Sequence, residues 1–279
     1  MFEVTEDDSG LDIVWTGDLV MRYNFGREVG RPRWHPLRLP GSPALTWDAP
    51  PDHVHHHGMW LAWKKVNGVN FWEQPSGEDR TGFGCIEHRR LRDVAADGEA
   101  ARFTAESDWV DWQGTLHLKD ERRAVVYAPQ DDRMAMGLEL RLTAVEAVTL
   151  DVARGEPGDF GVFYSGLTVR FAEALEECRL LDSEGRREAD DIYGSCAEWC
   201  GLSGRHADDG GTYGITIADS PDNPRHPTPW WVRNMPGYAL IQPCICYNDP
   251  VELAAGELLE LSYTVTLHKG QVGPGVGGK

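Results

Sequence analysis

Apolar and polar residues alternate along a run near the end of the chain, and this pattern restricts the fold more than any other. Its apolar members are Leu259, Leu261, Tyr263, Val265 and Leu267, with polar residues between them. Successive side chains of a β-strand point to opposite faces of the sheet, so the run predicts a strand with one buried face. Residues 136–142 alternate in the same way.

Short segments of this kind recur along the chain, and turn residues separate them. The chain has 31 glycines and 17 prolines, and helical stretches are scarce. We therefore expect an all-β protein, a large antiparallel β-sandwich. Residues 1–270 are predicted to form a single domain. Residues 271–279 have little to bury and are predicted to form a flexible tail.

The net charge of −18 restricts the partners. Nucleic acids and anionic membranes bind basic surfaces, so we expect neither as a partner. The chain contains no run of about 18 apolar residues that would predict a transmembrane helix. The acidic N-terminus lacks the apolar segment of a signal peptide, so we expect a cytoplasmic protein with its six cysteines as thiols. Whether the chain forms a homo-oligomer is left open.

Five of the ten histidines lie between residues 31 and 72, where the sequence D-H-x-H-H-H-G carries His53, His55 and His56. In an extended segment, His53, His55 and His57 would share one face. Such imidazoles suit either one divalent metal ion, with His88 or Glu87 as a further ligand, or acid–base catalysis without a metal. A surface loop without function is the structural alternative. His35, Trp60 and Trp63 in the same stretch are predicted to contact the substrate.

A second motif, DNPRHPTPWWVR, covers residues 222–233. Its prolines predict a rigid loop rather than a strand or a helix. Arginine binds carboxylates or polarised oxygens, and tryptophan packs against sugar rings, so Arg225, Trp230 and Arg233 are candidate substrate-binding residues. The alternative is a loop whose tryptophans pack against the sandwich. The chain has no dinucleotide-binding glycine motif, Walker loop or G-x-S-x-G elbow, so no nucleotide cofactor is expected.

Several linked segments resemble the PmoA-type family, which is named for a methane oxygenase and whose members mostly have no assigned function. They are R-P-x-W-H-P-L, D-H-x-H-H-x-G-M-W-x-A-W, V-N-G-V-N-F-W and N-P-R-H-P-T-P-W-W-V-R. The family in turn resembles galactose-mutarotase-like β-sandwich proteins, a supersandwich fold. The resemblance implies Glu121, in an E-x-R element, as a catalytic residue and Arg170 as a substrate-binding residue. No motif here matches the catalytic glutamate of true mutarotases.

Together the histidines and the resemblance predict a carbohydrate-active enzyme that transfers a proton at a sugar ring. The most concrete reaction is C–O cleavage of an oxidised (3-keto) glycoside, with epimerisation or isomerisation beside it. A carbonyl acidifies the neighbouring C–H, so an imidazole base would suffice. Two alternatives stay open: a non-catalytic sugar-binding or sensing module, and a metal-dependent oxygenase. A membrane-embedded methane monooxygenase is not expected, because the chain has no predicted membrane span.

Overall fold

The computed structural model describes residues 1–26, 30–75, 77–154 and 163–273. Within these ranges the chain is almost entirely β-structure, which confirms the predicted fold class. The elements in chain order are β1 (Phe2–Glu6), β2 (Gly10–Trp15), β3 (Asp18–Asn24), β4 (Arg33–Leu37), β5 (Met59–Trp63), β6 (Lys65–Val66), β7 (Gly84–Ala96), β8 (Ala100–Asp111), β9 (Leu116–Tyr127), β10 (Arg133–Ala144), β11 (Val148–Asp151), β12 (Ser165–Arg170), β13 (Leu175–Asp182), α1 (Ala189–Ile192), β14 (Trp199–His206), β15 (Thr212–Asp219), β16 (Trp230–Met235), β17 (Tyr238–Pro243), β18 (Val251–Leu253) and β19 (Leu258–Lys269).

The strands form two eight-stranded sheets and one small sheet. The first sheet has the order β1-β2-β3-β4-β5-β12-β17-β16, and the second has the order β13-β14-β15-β19-β10-β9-β8-β7. The small sheet is β18-β11-β6. The alternating run at residues 259–267 lies in β19, where it pairs antiparallel with β10 and β15, as its pattern predicted.

The two large sheets pack face to face around one hydrophobic cluster. Tyr23 of the first sheet lies against Phe103 of the second, with ring centroids 5.1 Å apart, and Trp63 lies 5.9 Å from Trp109. Large buried aromatic side chains of this kind supply much of the apolar area that holds a sandwich together.

One ion pair lies inside this core. Arg122 and Asp120 both project inward from β9, with at most 1% of either side chain exposed. Arg122 donates from Nε and Nη2 to the Asp120 carboxylate at 2.6–3.0 Å, and Trp109 Nε1 donates to the same carboxylate at 2.9 Å. The buried charges are therefore paired and hydrogen-bonded, as their desolvation requires.

The outer face of the first sheet carries an unusual row of large and polar side chains. Residues that face each other across antiparallel strands share a face, and the register places Arg33 opposite Trp60, and Trp60 opposite Thr168. Thr168 in turn donates a hydrogen bond to Gln242 Oε1 at 2.9 Å. Trp231 lies opposite Gln242. This face of β4, β5, β12, β17 and β16 is the floor of the candidate site.

The prediction of a loop through residue 233 was wrong, because β16 begins at Trp230. The last proline of the motif is Pro229, and the residues after it keep the amide donors that a strand needs.

In the predicted tail, the Val272 amide donates to Ser203 Oγ at 3.0 Å, and residues 274–279 lie outside the described residues. No helix in the described part of the chain is long and apolar enough to cross a membrane.

Replacing Gly58 with alanine should destabilise the protein more than the same change at Gly41. Both have positive φ, 59° and 69°, which costs an L-residue about 1–2 kcal/mol. A Cβ on Gly58 would also lie 2.4 Å from the Trp34 carbonyl oxygen, whereas no described atom lies within 4 Å of one on Gly41. We expect Gly41→Ala to lower the free energy of unfolding by about 1 kcal/mol and Gly58→Ala by about 3 kcal/mol or more, measured by urea denaturation. Equal losses would contradict this close approach of backbone segments.

Candidate functional site

A folded loop places the histidines over the outer face of the first sheet. The Gly58 amide donates to the Trp47 carbonyl at 2.8 Å, which closes the loop at its base. Inside it, the His53 amide bonds to the Pro50 carbonyl and the His56 amide to the His53 carbonyl. These are turn hydrogen bonds between residues three apart. The expectation that His53, His55 and His57 share one face of an extended segment was therefore wrong.

The turns stack the histidines with aromatic side chains in a column. His53 lies parallel to Tyr238, with ring centroids 4.8 Å apart, and parallel to His56 at 4.7 Å. His56 continues onto Trp60 at 5.3 Å with an interplanar angle of 26°. His55 contacts both His53 and His56 edge-on. The column thus joins the loop to the floor of the sheet.

His57 belongs to a separate hydrogen-bonded chain. Its Nδ1 lies 2.8 Å from Asp48 Oδ1, and Asp48 accepts hydrogen bonds from Arg33 Nε at 3.0 and 3.1 Å. With Asp48 ionised, His57 Nδ1 must carry the proton and Nε2 keeps its lone pair. The Gln74 amide nitrogen lies 3.5 Å from Nε2, a long contact that leaves the lone pair weakly engaged.

Arg170 lies against Tyr238, at the end of the column opposite Trp60. Its side chain is fully buried, and Nη2 donates to Asp52 at 3.2 Å and to the Gly237 carbonyl at 3.0 Å. The guanidinium lies 4.2 Å from the centre of the Tyr238 ring, a cation–π contact. Asp52 also accepts a hydrogen bond from His53 Nδ1 at 2.8 Å. Burial lowers the pKa of Arg170 from its ordinary value.

A second aromatic wall begins at Trp72, which contacts Trp60 at 5.1 Å. Trp72 stacks on Tyr164 at 4.7 Å, and Tyr164 meets Trp231 edge-on at 5.0 Å. Arg233 lies over the Trp231 ring at 5.2 Å. The wall extends the site from β5 to β16, so that Arg233 lies at its far end.

Many buried polar atoms at this site have no hydrogen-bond partner. In the described part of the chain, eleven of the twenty such side-chain atoms are Trp60 Nε1, Trp72 Nε1, Trp231 Nε1, Arg31 Nε and Nη1, Arg33 Nη1, Arg170 Nε and Nη1, His55 Nε2 and both ring nitrogens of His56. Folded proteins satisfy about 90% or more of their buried polar groups. Such a concentration of unpaired donors therefore indicates a place where a polar ligand binds.

Burial sets the protonation of the histidines. It lowers the pKa of His55 to about 4, and the charge of Arg31 acts in the same direction. Burial also lowers the pKa of His57 to about 4, although the Asp48 hydrogen bond opposes it. The pKa of His56 is lowered for the same reason. Burial alone would raise the pKa of Asp48, but His57 and Arg33 outweigh it and the pKa is lowered. At neutral pH His55, His56 and His57 are therefore neutral imidazoles, and Asp48 is an ionised carboxylate.

The predicted metal ion does not fit these side chains. Among the described residues, no group of three or more histidine, cysteine or carboxylate side chains is arranged to hold a metal. His53 and His56 stack face to face, which does not direct their ring nitrogens at one point. His88 stacks on Phe25 at 4.1 Å, and Glu87 pairs with Arg89 at 3.0 Å, so neither completes a ligand set with the loop.

The structure brings together five of the predicted site residues directly: His53, His55, His56, Trp60 and Arg170. His35 lies beside them, with Nδ1 3.0 Å from Thr46 Oγ1, and a Cβ on Gly58 would approach its Cβ to 2.8 Å. Two predicted tryptophans face the core instead. Trp63 Nε1 donates to Cys246 Sγ at 3.3 Å, and Trp230 Nε1 donates to the Ala197 carbonyl at 2.9 Å. Trp60 of β5 and Trp231 of β16, which lie on the same two strands, point to the site face instead.

Two charged candidates have other partners. Arg225 donates to the carbonyl oxygens of Ile245, Asp249 and Pro250 at 2.5–2.8 Å, which fixes the turn after β17. Glu121 accepts a hydrogen bond from Arg92 at 2.6 Å on the outer face of the second sheet. The inward residues beside it are Asp120 and Arg122, so the alternation of β9 directs Glu121 away from the first sheet.

Sequence reasoning did not assign a role to Arg31, Arg33, Asp48, Trp72 or Tyr238. Alternation within β4 could have grouped Arg33 with His35 on one face. No local signal identifies Asp48 or Tyr238, because they reach the histidines only through the loop closure and the position of β17.

The family model described as a family of unknown function, DUF6807, matches residues 10–276. The chain belongs to the DUF6807 family. A search of curated proteins gave no match. Among solved structures, the α-galactosidase from Lactobacillus brevis aligns at 10% identity and a TM-score of 0.42, over 98% of this chain and 40% of that one. A putative kojibiose phosphorylase from the human microbiome aligns at 9% identity and a TM-score of 0.33, over 96% of this chain and 30% of that one. Neither likeness is close enough to assign an activity.

The neutral histidines should make the protein less stable in mild acid. The pKa of His57 falls from an ordinary 6.5 to about 4 on folding, so between these values the unfolded chain binds a proton that the folded chain does not. Stability is therefore lost as the pH falls from about 6.5 towards 4. In His57→Asn, whose amide can keep the Asp48 hydrogen bond, the loss between pH 7 and pH 5 should be smaller by about 1–2 kcal/mol. Urea denaturation at both pH values measures this, and equal losses would contradict a neutral His57.

Proposed function

We propose that this protein is a carbohydrate-active enzyme in which His57 transfers a proton at a ring carbon next to a carbonyl group. The observation that carries the proposal is the chain Arg33–Asp48–His57. It holds the imidazole in one tautomer with an unprotonated Nε2, at the edge of a cluster of unpartnered buried polar atoms. A carboxylate that orients a histidine in this way is a recurrent arrangement for general acid–base catalysis.

The side chains around His57 support a sugar as the substrate. Tyr238, Trp60 and Trp72 form an aromatic cluster in which His53, His56 and Tyr164 already stack on their rings, so a sugar would meet the edges of this cluster. The indole N–H groups of Trp60 and Trp72 have no partner in the described chain, and hydroxyl oxygens of a sugar can accept them. A few polar groups converging on an aromatic surface are typical of small-molecule sites.

The most specific form of the proposal is cleavage of a 3-keto glycoside. His57 Nε2 removes the proton at C2, and the C–H electron pair moves to the C3 carbonyl oxygen as an enolate. Free guanidinium N–H groups of Arg33 or Arg170 stabilise that charge. The enolate then reforms the C3 ketone, the C2=C3 electron pair forms a C1=C2 double bond, and the C1–O bond breaks. The leaving oxygen takes up the proton that His57 removed, and the sugar product is an enone. If the proton returns to C2 on the opposite face instead, the result is epimerisation.

Replacing His57 with asparagine should nearly abolish this chemistry. With a 3-keto glucoside, we expect kcat for aglycone release and for C2 deuterium exchange in D₂O to fall by about 10²–10⁴-fold, the usual contribution of a general base. Asp48→Asn should also lower kcat, because an amide can hold the wrong tautomer. NMR follows both reactions in one sample.

His226 offers the matched control. Its Nδ1 lies 3.0 Å from Asp219 Oδ2, so it also pairs with a carboxylate, but it lines a cavity of about 510 Å³ against the second sheet. His226→Asn should leave both rates unchanged. Sugar binding to the wild type without exchange or cleavage would contradict the proposal and favour a binding or sensing module.

A further inference from the structure

Arg31 is the least satisfied charge at the site. It lies just before β4 with 3% of its surface exposed, and its Nε and Nη1 have no hydrogen-bond partner in the described chain. No ion pair joins it to a carboxylate of the described residues, although Glu73 acts on it electrostatically from a distance. Glu73 is itself hydrogen-bonded to Lys64 and to Asn70.

The core shows how this chain buries an arginine for structural purposes. Arg122 is equally buried, and its guanidinium binds the Asp120 carboxylate through two nitrogens, so its pKa is raised despite burial. Arg31 has no such partner among the described residues, and burial lowers its pKa to about 9. At neutral pH it is still a cation, held where water does not compensate it. Buried charges persist in proteins when something pairs with them.

The charges around the site also leave one cation unmatched. Around the histidine loop lie four cationic side chains and three carboxylates, whose charges sum to about +1, and Arg233 at the far end of the aromatic wall is a further cation. The cations are Arg31, Arg33, Lys64 and Arg170, and the carboxylates are Asp48, Asp52 and Glu73. In a chain with a net charge of −18, such a local excess is selective for an anion.

We propose that Arg31 receives the carboxylate of the substrate, so that the substrate is a sugar acid such as a uronate. This rests on the proposed function for the presence of a sugar at the site. A carboxylate matches the single unmatched charge beside the histidine loop and can accept a hydrogen bond from the free Nε or Nη1 of Arg31. A phosphate monoester carries about −1.5 to −2 at neutral pH, which exceeds that single charge.

The position of Arg31 connects this anion to the histidines. Its charge is among the causes that lower the pKa of His55 and of His57. A bound carboxylate would offset that charge and make the imidazoles more basic when substrate is present. Arg31 is then a residue that determines specificity rather than one that takes part in bond breaking.

Calorimetry with matched ligands tests the proposal. The probes are glucuronate, galacturonate and mannuronate, each beside its neutral hexose, and glucose 6-phosphate. We expect the wild type to bind at least one uronate 10-fold or more tightly than its hexose. In Arg31→Met that preference should disappear while hexose binding is retained. Arg123→Gln, an exposed arginine on the second sheet, should keep the wild-type preference.

Thermal denaturation of the same variants without ligand provides a second measurement. Removing an unpartnered buried charge should leave the Tm of Arg31→Met equal to or above that of the wild type. A fall of many degrees would show that Arg31 has a structural partner and would overturn the proposal.

The outcomes separate this proposal from the proposed function. Hexoses that bind as tightly as uronates, or a preference for glucose 6-phosphate, would overturn the carboxylate assignment and leave a sugar enzyme standing. Binding of neither uronates nor hexoses would overturn both. A uronate preference that survives in Arg31→Met would place the anion on another residue.

Discussion

The hydrogen-bonded chain from Arg33 through Asp48 to His57 organises the outer face of the first sheet. It connects strand β4 to both ends of the histidine loop, since Asp48 lies at the start of the loop and His57 at its end. Gly58 permits this closure, because only a residue without a side chain fits against the Trp34 carbonyl at a positive φ. Within the closed loop, His53 and His56 stack between Tyr238 and Trp60, and His55 contacts both of them edge-on.

The two faces of the first sheet differ in the buried polar side chains that they carry. The inner face packs mainly apolar side chains against the second sheet, whose buried Arg122–Asp120 pair is hydrogen-bonded. The outer face is also fully buried around Trp60 and Arg170, yet nitrogen atoms of both side chains have no hydrogen-bond partner in the described chain. A protein interior tolerates such atoms at a cost in stability, and that cost is recovered when a ligand of complementary polarity binds. The proposed site therefore lies on the face of this sheet turned away from the second sheet.

The strands were predictable from the sequence because two-residue alternation is a local property, as β19 and β10 show. The histidine block could be chosen as a candidate site from the sequence because its residue types are chemically distinctive. Their partners were not predictable, since Tyr238 and Arg170 come from strands whose neighbours are set only by the sheet order. Alternation implies that Trp60 and Trp63 point to opposite faces, but it does not say which face is the core. Because of the same ambiguity, the sequence predicted Trp230 as a site residue, although Trp231 lies on the site face. It also predicted Glu121, which lies on the outer face of the second sheet.

The protonation state of His57 is the central claim, because acid–base chemistry at this site requires a neutral imidazole with a free Nε2. ¹⁵N NMR of the histidine side chains, assigned by comparison with His57→Asn, measures it directly. At neutral pH the account predicts a neutral ring with the proton on Nδ1, which titrates near the pKa of about 4 set by burial. An imidazolium at neutral pH, or a neutral ring protonated on Nε2, would contradict it.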